Sequence, residues 1–100
     1  MSAQPPASVS TSGLVNGAMC RAFAGGIFNL KASIDRRDLL ASTSPLPRDE
    51  IEALSERIWE TKLEFARVIR HWRDPVGQGI LADLYEMLIG TLPNEDGIIP

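Results

Sequence analysis

The sequence predicts an all-α fold: a small helical domain in which a long helix and a C-terminal helix form an αα-hairpin. Three observations carry this. "RDEIEALSERIWETKLEFARVIRHW", residues 48–72, places Ile51, Leu54, Ile58, Thr61, Phe65, Val68 and Trp72 at steps of three and four, the spacing of one helix face. Arg73, Asp74 and Pro75 follow, and an N-cap residue with a first-turn proline marks where a second helix starts. Few β-branched residues occur between positions 14 and 34, the one segment with a competing strand pattern.

From the N-terminus, "MSAQPPASVSTSG" offers almost no large apolar side chain to repay the entropy of ordering, so residues 1–12 read as a disordered arm. Residues 13–92 then form a single helical domain and 93–100 an extended tail. Within "LVNGAMCRAFAGGIFNLKASI", Val15, Met19, Ala22, Phe23, Gly26, Ile27, Leu30 and Ile34 share one face of a helix. The alternative is an α+β fold with an N-terminal β-hairpin at residues 18–34. There Phe28, Leu30, Ala32 and Ile34 alternate with polar residues, and Gly25-Gly26 makes the turn. The helical match is longer, although two glycines cost about 2 kcal/mol in a helix interior. On the helix, Ala18, Ala22, Gly25 and Gly26 form a narrow side for close approach of another backbone.

Asp35 is placed to cap a short separate helix over "RRDLLA", with Leu39 and Leu40 turned inward. "STSPLP" is a loop, and Pro47 suits the first helical position, where its missing N–H costs nothing. The long helix is acidic at its start and carries Arg67, Arg70 and Arg73 at its end, which complements its dipole. The last helix is "PVGQGILADLYEMLI", residues 75–89. Gly77 and Gly79 weaken its first turn, and Gly90 closes it.

Apolar residues make up 44% of the 100-residue chain and charged residues 23%, ordinary globular usage for one modest core. The net charge is −3, and the acid is concentrated after residue 45, where eleven acidic side chains face six basic ones. Such a body repels phosphate backbones, so no direct nucleic-acid binding is expected. No secretory signal and no membrane span are expected. The single cysteine, Cys20, excludes an intrachain disulfide and fits a cytoplasmic protein. Cys20 itself reads as a small buried hydrophobe.

The chemical candidates are few. His71 is the only histidine and sits where a helix C-terminus favours it. Its local carboxylate, Asp74, is already used as a cap, so His71 reads as a corner residue. Glu52, Glu56, Glu60 and Glu64 step by four, which reads as a solvated outer face or, more sharply, as a docking strip for a basic partner. No phosphate loop, nucleophile elbow or zinc-protease motif occurs. The expectation is therefore no enzyme, with no catalytic residue, no cofactor and no metal site.

Apolar surface is the most informative feature. Trp59, Leu63 and Ala66 lie off the long helix's seam. In the last helix Val76, Ile80, Leu81, Leu84, Tyr85, Met87, Leu88 and Ile89 cover more than half the circumference. One small core does not consume that much, even with Leu92, Ile98 and Ile99 wrapping part of it. This points to a protein-protein interaction module binding through Trp59, Leu63, Leu81, Leu84, Tyr85 and Leu88, and to a homodimer in isolation. The alternative function is a small chaperone or structural subunit of a larger bacterial assembly. A helical mutase or isomerase would need His71 beside Glu60 or Glu64, and helical spacing puts Glu64 on another face.

In size, acidity, helical content, lack of catalytic residues and apolar C-terminal half, residues 14–92 resemble small bacterial quorum-sensing anti-activators. The resemblance implies a negative regulator that binds a LuxR-type transcription regulator and blocks its dimerisation or DNA binding. No residue is assigned by it.

Overall fold

The structure is a computed structural model that describes the backbone of residues 4–94 and the side chains of residues 17–94. Of the arm expected to be disordered over residues 1–12, residues 4–12 are helical and continue into the domain, and 1–3 lie outside the described residues; of the tail expected over 93–100 only Pro93 and Asn94 are described. Three helices make up the fold: α1 (Gln4–Ala41), α2 (Arg48–Arg70) and α3 (Pro75–Leu88). There is no strand among the described residues. The all-α expectation holds, and the β-hairpin alternative over 18–34 is not supported, because that whole segment is helical.

α1 is the spine. Both α2 and α3 lie against it more extensively than against each other. Its inward face is Phe23, Ala24, Ile27, Leu30 and Ile34, of which Ile27 and Leu30 are buried. The paired glycines explain why helix wins over hairpin. A Cβ on Gly26 would stand 3.2 Å from the Phe65 ring, so the missing side chain lets α2 close onto α1, and packing offsets part of the backbone entropy. Nothing lies within 4 Å of a Cβ on Gly25, and Ala18 and Ala22 are exposed. The narrow side expected of all four residues reduces to Gly26, which meets a ring and not another backbone.

The short separate helix expected at "RRDLLA" does not exist. α1 runs through it to Ala41, and Asp35 pairs with Lys31 at 2.9 Å one turn back instead of capping. No proline or glycine interrupts residues 27–41, so nothing stops propagation. Leu40 is half-buried, but Leu39, expected inside, is 69% exposed. The Ser42 and Thr43 hydroxyls both donate to the Leu39 carbonyl and finish the helix. A loop over residues 42–47, with Ser44-Pro45 in cis, leads to α2. Pro47 stands at the N-cap, one residue earlier than expected, and carries no side-chain cap.

α2 buries Ile58, Ala66 and Ile69 and packs Leu54 and Phe65 on the core, with Trp72 just past its end doing the same. This face is rotated from the expected seam. Ala66, placed outside that arc by its spacing, is buried, while Val68, placed within it, is exposed. α2 packs against both α1 and α3, and Arg70, four residues after Ala66, reaches the Pro93 carbonyl. Phe23 tilts against Phe65 at 4.8 Å and against Trp72 at 5.7 Å between ring centroids, an aromatic clasp joining α1 to the C-terminal end of α2.

Candidate interaction surface

The corner between α2 and α3 forms as its residues dictate. His71 is the C-cap of α2, its backbone N–H donating to Arg67. Asp74 caps α3, its carboxylate accepting from the Gly77 N–H at 3.1 Å, with Pro75 in the first turn. Gly77 is buried, and a Cβ there would stand 2.8 Å from Trp72 Nε1. Its lack of a side chain, expected only to weaken the turn, is what lets the indole lie over α3. Gln78 was not singled out by the sequence, yet its amide donates to the carbonyls of Ile69 at 2.9 Å and Arg70 at 3.0 Å. It thereby satisfies two of the last carbonyls of α2.

This corner fixes which way α3 faces. Leu81 and Tyr85 are fully buried and belong to the core with Ile27, Leu30, Ile58 and Ile69. Leu84, Leu88 and Ile89 are half-buried against it. Of the binding residues expected on α3, Leu81 and Tyr85 therefore have no outward surface, and Leu84 and Leu88 only part of one. The packing of α1 consumes that side of the helix. The outward stripe is instead Val76, Ile80 and Met87, which are 70%, 56% and 73% exposed. These step by four and seven, so they share one face. Asp83 and Glu86 flank them, and α3 has no basic residue.

On α2, Trp59 is 38% exposed and Leu63 half-buried, both on the side away from Leu54 and Phe65. Glu52, Glu56, Glu60 and Glu64 are all exposed. Neither Glu64 nor the other three makes an ion pair among the described residues. The tail crosses nearby: Leu92 packs on the core, Pro93 is buried, and the Arg70 guanidinium donates to the Pro93 carbonyl. Ile98 and Ile99, expected to help wrap apolar surface, lie outside the described residues.

A third apolar feature is an open groove of about 560 Å³ lined by Met19, Val68, His71, Trp72, Arg73 and Asp74. Met19 and Val68 are exposed along it. Cys20, one residue on, is half-buried against the core. His71 therefore lines a surface groove as well as ending a helix. No three His, Cys, Asp or Glu side chains come together to hold a metal ion among the described residues.

Compared with protein-family models, curated proteins and solved structures, the chain matches none.

Two groups have shifted titration. Burial pushes the Tyr85 phenol up to about 12, and its hydroxyl is buried with no hydrogen-bond partner among the described residues. Burial and then the Arg37 charge lower the Lys62 ammonium. Tyr85 lies in the core. No helix among the described residues is long and apolar enough to cross a membrane.

Proposed function

We propose that this chain is a protein-interaction module that works by occupying an apolar surface of another protein, with α3 as the contacting element. The observation that carries this is the outward stripe of Val76, Ile80 and Met87. A surface helix ordinarily spends its large apolar residues on one face. α3 fills that face with Leu81, Tyr85, Leu84 and Leu88 and then places three more on the other. Desolvating the stripe against a partner yields the burial that the fold itself leaves unused.

The charge around the stripe supports one class of partner. Asp83 and Glu86 flank it without a cation on the helix, which suits a basic partner surface. A surface that binds DNA must be basic, since it neutralises phosphates. Together with the resemblance to quorum-sensing anti-activators, this favours a LuxR-type transcription regulator as partner. Docking of α3 would cover the regulator's DNA-binding or dimerisation surface and so act negatively.

The test is a reporter driven by a LuxR-type regulator, with and without this chain. Co-expression should repress the reporter, and Ile80→Asp with Met87→Asp should relieve the repression while the variant stays helical. Unchanged reporter output with the parent chain would refute the anti-activator function. Repression that survives the double substitution would refute the role of α3.

A further inference from the structure

The outer face of α2 carries a second seam, away from Leu54 and Phe65, that the fold covers only in part: Leu63 on it is half-buried. Glu52, Glu56, Trp59, Leu63 and Arg67 follow one another at steps of four, three, four and four, so all five share one stripe; Arg70, next along it, is half-buried and already donates to the Pro93 carbonyl. The stripe lies opposite Leu54, Phe65 and Trp72, which face the core. Trp59, near its centre, is 38% exposed, and Glu52, Glu56 and Arg67 are exposed beside it. The seam is ordered by charge: acidic in its N-terminal part, apolar in the middle, basic at its C-terminal end.

That order is complementary to itself when reversed. We propose that α2 pairs antiparallel with α2 of a second copy of this chain, about a two-fold axis that passes beside position 61. In that register Trp59 meets Leu63 of the second copy, and Leu63 meets its Trp59. Glu56 falls beside Arg67 of the second copy. Each contact occurs twice, as a two-fold interface requires. A parallel pair would instead set acid against acid and base against base. α3 is a poorer face for self-pairing. A two-fold antiparallel contact centred between Ile80 and Met87 brings Asp83 of both copies to the axis, and α3 has no cation to relieve them.

The size of the contact sets its strength. From Glu52 to Arg67 the seam is about 22 Å long, which places a single helix pair at the small end of specific interfaces. A reversible, concentration-dependent dimer follows. It leaves α3 outside the contact, so self-association and partner binding use different faces of the molecule.

Sedimentation of the full chain from micromolar to millimolar concentration tests this, with circular dichroism confirming helix content. The parent should rise from 10.9 kDa toward twice that mass. Glu56→Arg and Arg67→Glu should each weaken the dimer at least about tenfold, because each sets like charges together. An equimolar mixture of the two variants restores both opposite-charge pairs and should dimerise again. A parent that stays at the single-chain mass throughout overturns the proposal. So does a dimer that neither substitution weakens, or a mixture that fails to recover. The recovery arm excludes misfolding of a variant as the cause of a lost dimer. Leu63→Glu, which charges the centre of the seam, should likewise leave only monomer, and a Leu63→Glu dimer of parental strength also overturns it.

Discussion

Tyr85→Phe removes a hydroxyl and is expected to stabilise the domain. Tyr85 is fully buried, and its hydroxyl has no hydrogen-bond partner among the described residues. A buried polar group without a partner costs about 1–3 kcal/mol in lost hydration. Replacing it by an apolar ring of the same shape relieves most of that, less a small loss of contact around the vacated oxygen. The net gain should be about 1 kcal/mol, or about 4–8 °C in melting temperature for a domain of this size. Alkaline titration gives a second, independent readout. The folded phenol is held at about 12 against an ordinary 10, so between those values the unfolded chain has lost a proton that the folded chain keeps. Stability must then fall as pH rises, by about 3 kcal/mol across the interval. Lys62, whose ammonium is lowered, pulls the opposite way but is common to both proteins. Urea unfolding of parent and Tyr85→Phe from pH 8 to 12 isolates the tyrosine as the difference between the two curves. The reasoning fails if Tyr85→Phe is destabilised by more than about 1 kcal/mol at neutral pH, or if the two curves stay parallel above pH 10.

The glycines separate by surroundings. Gly25→Ala and Gly79→Ala meet nothing within 4 Å and should each stabilise by up to about 1 kcal/mol through helix propensity. Gly77→Ala puts a Cβ 2.8 Å from Trp72 Nε1 and should destabilise by about 1–3 kcal/mol, as thermal melts of the three variants would show. At the corner, Asp74→Ala removes the cap on α3 and should cost about 1 kcal/mol. His71→Gln, which keeps a polar side chain at the end of α2, should lose less, and chemical denaturation ranks the two.

How far the fold could be read from the sequence depended on where each signal was local. Asp74, Pro75 and Gly90 act on the turn they belong to, so the start and end of α3 were legible. The period of α2 was likewise visible across its whole length. What the sequence did not show was how much of each apolar face the neighbours would use. Leu81 and Tyr85 differ little in kind from Ile80 and Met87, and only the placement of α3 on α1 sends the first pair inward and the second outward. Ala66 looked peripheral because spacing along one helix does not show which of its flanks the neighbours cover. Asp35 looked like a cap because aspartate is a good one, yet Lys31 one turn earlier offered a pairing that suits a continuing helix. Gly26 and Gly77 looked like weak points in their helices, and the structure gives each an aromatic ring to accommodate. Gln78 was invisible because its partners, the carbonyls of Ile69 and Arg70, lie across a corner whose geometry no residue count supplies.

Docking through the outward face of α3 is tested most directly by calorimetric titration of the folded chain into a purified LuxR-type regulator. Parent, Ile80→Ala and Tyr85→Phe would be compared under one salt condition. Ile80→Ala truncates an exposed anchor and should weaken binding by about 2 kcal/mol, near thirtyfold, while the buried Tyr85→Phe binds as the parent does. Equal affinity for Ile80→Ala and parent, with both proteins folded, would contradict the assignment of α3 as the contacting element.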